Sequence, residues 1–335
     1  MRIALLTSML LMLLTMAAGC DHIELEERPA SLRVPVKIVF DWEAAPEAAP
    51  KEMTVYFYRM SERGMTRNPL RYVYELRGST GGTIMIPSGY YCAVCHNSDT
   101  DCHGLTGHDT YEDFGIRLSD LTSASPTHFT RPLKVPGAED ERLAWSADYM
   151  WVSAVEGFTV RASADAAAEP LTLVFEMLPV THHYTFIVHH PSNLTLSTRL
   201  NASVSGMSGT VHPARGVTGE ETVTHSFLME ANDRGELEGH LLTFGHCGNR
   251  PLSTRADEEP AEGLHILALS NDRGWSHTHD VTSHIHDYHS SPGISDPENI
   301  VVELDSLTLP PPLLQGGGAA VGVGGWTGTD EILGR

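Results

Sequence analysis

Little in this chain reads as machinery for chemistry. Of its 335 residues only 22 are Lys or Arg, against 43 Asp or Glu, for a formal net charge of −21. A surface that acidic repels phosphate backbones and anionic headgroups, so nucleic acid is excluded as a partner and a basic patch as a route to a membrane. Aromatic residues make up 7 % of the chain, which does not suggest a sugar-stacking platform. After residue 20 no apolar run approaches the roughly 20 residues of a membrane helix. There is no Gly-x-Ser-x-Gly, because Ser205-Gly-Met-Ser-Gly209 has the wrong spacing. There is no His-Glu-x-x-His, and the glycines of 316–325 follow a Pro-rich turn rather than a strand leading into a helix. Carboxylates are abundant, but the sequence pairs none of them as acid and base. No short repeat is visible. An enzyme is therefore not expected.

The most specific feature present is the N-terminus. Arg2 precedes an apolar run from Ile3 to Leu14, and Ala17-Ala18-Gly19 closes it before Cys20. That is the layout of a secretory signal peptide. A cysteine placed directly after Ala-Ala-Gly resembles a bacterial lipobox, in which Cys20 becomes the lipidated first residue of the mature protein. Residues 1–19 are expected to be the signal and 20–29 a tether, acidic through Asp21, Glu24, Glu26 and Glu27. The tether reads equally as an address for the cell surface or as a solvated linker. Either way the rest of the chain lies outside the cytoplasm, held to a membrane through lipid on Cys20.

From residue 30 onward the pattern is β almost throughout. Leu32, Val34, Val36, Ile38 and Phe40 alternate with Arg33, Pro35, Lys37 and Val39, a period of two in which the proline favours an edge strand. Met53–Tyr58 is rich in β-branched and aromatic residues. Gly81-Gly82 introduces Thr83–Ile86, and Pro87-Ser88-Gly89 turns the chain into Tyr90–Cys95. Further strands are expected at 171–175, 184–188, 194–198, 222–229, 264–269, 300–304 and 319–323. Residues 161–170, small and polar, read as a linker, and 251–263 as an exposed loop. Short strands separated by turn signals argue for β-sandwiches. With 41 % hydrophobic residues the chain has material for two cores, placed at 30–160 and 171–335.

Three stretches together resemble the fimbrillin-type lipoproteins of Bacteroidales, especially their fimbrial anchor and accessory subunits. The first is Ile86-Pro-Ser-Gly-Tyr90 followed by His96-Asn97-Ser-Asp99; the second is Asn201-Ala-Ser-Val-Ser-Gly-Met-Ser-Gly209. The third is the C-terminal series Asp280-Val-Thr282, Ile300–Leu304, Leu309-Pro310, Gly316–Gly318 and Val321–Trp326. The resemblance implies an all-β chain of two tandem transthyretin-like β-sandwich domains behind a lipoprotein signal peptide. It also implies an outer-membrane lipoprotein at the cell surface, with fimbrial or other surface subunits as partners through strand addition to an open sheet edge. One departure stands out. Only Thr327–Arg335 follow Trp326, short and glycine-containing for a donor strand, so an accessory or adhesive surface role is as fitting as polymerisation.

Other readings compete at particular residues. Cys92-Ala-Val-Cys95-His96 is a complete C-x-x-C-H, the attachment pattern of haem c, yet it falls in an expected strand. Cys92, Cys95 and Cys102, near His96, His103 and His108, have spacing compatible with zinc. A Cys95–Cys102 disulfide competes with that, since export permits disulfides and the four cysteines 92, 95, 102 and 247 allow three pairings. In a regular strand Cys92 and Cys95 point to opposite faces. Nineteen histidines are present, densest at His277, His279, His284, His286 and His289. In strands His277 would share a face with His279, and His284 with His286, and a neighbouring Asp280 could orient such rings toward a metal. A histidine-rich surface loop explains them as well. The expectation is no cofactor and no resident metal. An exported metal- or haem-binding protein using Cys92, Cys95 and His96, or a surface glycan-binding lipoprotein, are the alternatives.

Overall fold

A computed structural model describes residues 33–60, 69–121, 134–162, 169–248, 252, 263–285 and 299–311. The signal peptide, Cys20, the tether at 20–29, His286 and the strand expected at 319–323 lie outside the described residues, as do most of the expected linker and of the 251–263 loop.

The chain is all-β. In order its strands are β1 (Arg33–Asp41), β2 (Glu52–Met60), β3 (Leu70–Arg77), β4 (Gly82–Pro87), β5 (Gly89–Asn97), β6 (His103–Thr106), β7 (Gly115–Leu118), β8 (Arg142–Ala144), β9 (Trp151–Val160) and β10 (Leu171–Glu176). The later strands are β11 (Leu178–Pro179), β12 (His182–Ser192), β13 (Arg199–Ser208), β14 (Thr210–His212), β15 (Val217–Thr218), β16 (Thr222–Ala231), β17 (Leu237–Thr243), β18 (Ile266–Ser270), β19 (Ser276–Asp280) and β20 (Asn299–Thr308). Two compact units emerge, and the chain passes between them more than once. Of the described residues, those up to 99 and those in 107–114 and 151–178 belong to the first, and those in 100–106, in 115–150 and from 179 onward to the second. β10 therefore belongs with the N-terminal strands, although it comes after the stretch at 161–170.

The first unit is a sandwich. A three-stranded sheet, β10-β1-β4, faces a five-stranded one, β11-β9-β5-β2-β3. Alternation does the sorting: Val34, Val36, Ile38 and Phe40 of β1 point inward and meet Met53, Val55 and Phe57 of β2, Tyr91, Ala93 and Cys95 of β5, and Leu173 and Phe175 of β10. The proline of β1 does not mark an edge. β1 is the middle strand, antiparallel to β4 and parallel to β10. Pairing with β10 starts at Val36 opposite Leu171, whereas Pro35 faces only Met85 of β4. The missing N–H thus falls where the second partner has not yet begun. Gly81, at φ +89°, enters β4 so close to β1 that a Cβ would run into the Ile38 carbonyl.

The second unit is built on an eight-stranded sheet, β19-β18-β13-β16-β17-β12-β20, with β8 alongside β16, and on a four-stranded sheet, β15-β14-β7-β6. Tyr184 and Phe186 of β12, Ala202 and Val204 of β13, Leu267 and Leu269 of β18 and Ile300 and Val302 of β20 are buried. Arg142 ties three segments of this unit together. Its Nε and Nη2 fork onto Glu221 at 3.0 and 3.1 Å, and its Nη1 donates to Asp120 at 2.7 Å and to the Leu118 carbonyl at 3.0 Å. The strand expected at 194–198 is a turn, closed by the Thr198 amide on the Thr195 carbonyl at 2.8 Å, and Leu196 is 84 % exposed. His284 lies on a single helical turn spanning 282–285, not on a strand.

Candidate functional site

β5 carries the C-x-x-C-H residues and is enclosed on both faces. Cys95 points into the sandwich core, opposite Val55. Cys92 turns the other way, opposite Tyr58 and next to Tyr111. The segment 107–114 covers this outer face. Tyr58 donates to the His108 carbonyl at 2.7 Å and its ring meets Tyr111, while Tyr56 packs against Phe114 at 5.1 Å. Arg71 donates to the same His108 carbonyl and lies over the Tyr56 ring at 6.0 Å.

His96 lies under this cover. Its ring is stacked on Tyr56 and tilted against Phe114. Nδ1 is 2.7 Å from the Asn97 carbonyl and must carry the proton, since a carbonyl only accepts. Nε2 is buried and has no hydrogen-bond partner. Burial lowers its pKa, and the Asn97 bond only partly opposes that.

This geometry does not suit haem c. Two thioethers need thiols on one side of a porphyrin, and here they project from opposite faces of one strand, with the histidine tied to its neighbour. Nor does it suit zinc, which binds thiolate. Burial holds the Cys95 thiol well above its ordinary pKa, and burial together with Asp148 pushes Cys102 up to about 11. Among the described residues no group of three or more His, Cys, Asp or Glu is arranged to hold an ion. Cys92, Cys95, Cys102 and Cys247 are free thiols. The Cys95–Cys102 bridge considered from sequence is not formed, and Cys95 is sealed in a core. His284 is exposed.

The sheets also end somewhere, and strand edges are where a β protein can bind another chain. Setting aside the two-residue β11 and the small four-stranded sheet, the terminal strands among the described residues are β3, β4 and β10 in the first unit and β19 and β20 in the eight-stranded sheet. β3, β4, β19 and β20 carry devices that blunt an edge, whereas β10 has one charge, the exposed Glu176 at its last residue. β3 has Arg71, Glu75 and Arg77; β20 exposes Glu303 and Asp305; β19 carries His277, His279 and Asp280. On β4 the Met85 carbonyl already accepts from Tyr74 at 2.7 Å and Arg33 at 3.2 Å. β10 differs. Leu171-Thr-Leu-Val-Phe175 is uncharged, and Leu171 and Val174 are exposed, Val174 by 46 %. Sequence reasoning finds β10 as a strand but not as an edge, because its partner β1 is far away in the chain.

Residues 19–228 match the profile of a family described as a domain of unknown function, DUF5119. The chain belongs to that family. The DUF5119 chain is 24 % identical, over 96 % of its own length and 96 % of the other's, to a Bacteroides ovatus protein provisionally named fimbrium anchoring subunit Fim4B. Its fold is similar to that of a crystal structure described as a candidate adhesin of Bacteroides ovatus ATCC 8483, with a TM-score of 0.57, 21 % identity, and coverage of 84 % of this chain and 94 % of that one. The fimbrial anchor protein Mfa2 of Porphyromonas gingivalis aligns over 82 % of this chain and 90 % of its own, with a TM-score of 0.47 and 13 % identity. The resemblance to fimbrial anchor and accessory proteins read from the three sequence stretches is thus met again in a relative aligned end to end.

Proposed function

We propose that this DUF5119 chain is a fimbrial anchor or accessory subunit, a non-enzymatic β-sandwich protein displayed on the outer surface of the envelope through lipid on Cys20. The observation that carries the reading is the alignment with the fimbrium anchoring relative across 96 % of both chains, in a protein whose fold is β throughout. The family match begins at residue 19, so Cys20 falls within the matched segment. In this reading a partner subunit adds an extended strand to an open sheet edge, where main-chain hydrogen bonds give affinity and side-chain pockets give register. β10 is the edge best prepared for it, since nothing charged guards Leu171–Phe175.

Immunogold electron microscopy on intact cells tests the placement. Gold at fibre bases or along fibres is expected for the wild type, and the Cys20→Ala variant is expected to leave the membrane fraction. Labelling that appears only after permeabilisation would place the protein in the periplasm and end the fimbrial reading. A Cys20→Ala variant still sedimenting with membranes would end the lipid anchor.

A further inference from the structure

β19 puts two imidazoles on one face of the second unit's sheet. His277 and His279 lie opposite Leu269 and Leu267 of β18, two residues apart on a strand, so both turn to the same side. Their ring centroids are 4.5 Å apart at an interplanar angle of 69°. The Trp275 indole stacks on His277 at 6.2 Å and 11°. Nε2 of His279 is enclosed and has no hydrogen-bond partner. Burial first, and His277 second, hold His279 below the ordinary histidine pKa, so at neutral pH its nitrogens have no extra proton to give up. Asp280 does not orient these rings; its Oδ1 accepts from the Thr282 amide at 3.0 Å.

We propose that His277 and His279 form a two-nitrogen chelate for a borderline divalent transition-metal ion, Cu²⁺ before Ni²⁺ or Zn²⁺, with water completing the coordination. Imidazole nitrogen suits these ions, and copper leads the affinity order. Metal–nitrogen bonds of about 2.0–2.1 Å bring two ligating nitrogens to roughly 3 Å from each other. Side-chain rotation reaches that spacing from rings already in contact. Among the described residues no third ligand joins them, which makes the site open and exchangeable rather than a structural one. It lies on a sheet edge of the second unit, uses no residue of β10, and does not depend on the fimbrial reading.

Trp275 supplies the reporter, because bound Cu²⁺ quenches an adjacent indole. The soluble chain, residues 21–335, is titrated with Cu²⁺ at pH 7.5, with tryptophan emission and electron paramagnetic resonance read in parallel. A saturable quenching component is expected in the wild type. It should vanish in His277→Ala and in His279→Ala, with His279→Gln as the variant to use if alanine disturbs folding by circular dichroism. It should also vanish in Trp275→Phe, whose copper spectrum keeps its nitrogen hyperfine pattern. The His277→Ala/His279→Ala double variant measures what the remaining histidines bind. Quenching curves that coincide in the wild type and the double variant would overturn the site, as would quenching that survives Trp275→Phe.

Discussion

His225 sits wholly inside the second unit, on β16, opposite Val204 of β13 on one side and Ala144 of β8 on the other. Burial above all, aided by the Arg142 cation, lowers its pKa to about 4. An unfolded histidine titrates near 6.5. Between these values the unfolded chain binds a proton that the folded chain refuses, so stability is fully present above about pH 6.5 and falls as the pH drops toward 4. The shift corresponds to something on the order of 3 kcal/mol for this one residue. His96 and His279, also lowered by burial, pull in the same direction. His189 works oppositely: hydrogen bonds to Glu236 at 3.0 Å and Glu303 at 3.2 Å raise its pKa, so its contribution is lost as the pH rises. It is too exposed to offset the buried ring. Urea unfolding at pH 7.5 and pH 4.5 should show a large loss of stability in the wild type and a clearly smaller one in His225→Gln. Equal losses in the two proteins would remove His225 as the cause.

At the scale of elements, the end of β12 holds the exit of β20. Among the described residues Asn193 alone combines a side chain with a positive φ, 60°. Its Nδ2 donates to the Leu309 carbonyl at 2.8 Å, just past the last pair of the parallel ladder, Ser192 with Thr308. Asn193→Gly keeps the backbone at ease and loses only that bond, about 1 kcal/mol. Asn193→Ala loses the bond and adds about 1–2 kcal/mol of left-handed strain, so alanine should be the worse substitution. Thermal unfolding ranks the two, and hydrogen exchange should show earlier opening of β20 in the alanine variant; a glycine variant as unstable as the alanine one would sink the argument. The same corner shows how far sequence could be read. Leu194 and Leu196 alternate as in a strand, but Ser197, Thr195 and Thr198 bond to one another and to nearby backbone, which favours a turn. Strands with one wet face, such as β1, were legible from alternation alone. β9 was missed because Glu156 and Gly157 interrupt it. In β5 both faces are buried, so alternation could place Cys92 and Cys95 on opposite sides but could not reveal that 107–114 would cover the outer one. The apolar residues on both faces of β2, Val55 and Phe57 against Tyr56 and Tyr58, were the available signal of such a cover.

For the whole molecule, a formal charge of −21 means that two copies repel once they approach within a few Debye lengths, each about 8 Å at physiological salt. In the proposed assembly so acidic a protein needs a local contact that survives this repulsion, and main-chain pairing along the uncharged stretch Leu171–Phe175 of β10 would supply one. In that proposal charge on β3, β19 and β20 and the occupied Met85 carbonyl on β4 disfavour pairing at those edges, leaving β10. Val174 tests the idea without touching the core. Its side chain is exposed on the face opposite Leu173 and Phe175, in register with Val39 of β1 and two pairs away from Asp41 and Glu176, on the same face. A lysine there meets water and two carboxylates, so Val174→Lys should change stability by no more than about 0.5 kcal/mol. Its effect on assembly should be larger, because a charge on the strand is the device by which natural edges refuse partners. Cells carrying Val174→Lys are expected to display the protein at wild-type levels while fibres no longer co-purify with it. A charge reversal elsewhere on the surface, Lys37→Glu on the neighbouring β1, should leave fibres attached, which separates blocked pairing from altered net charge. Fibres retained by Val174→Lys would move the partner's strand away from β10. The acidic β20 would then be the next edge to probe, and the partner strand it accepts would have to be basic.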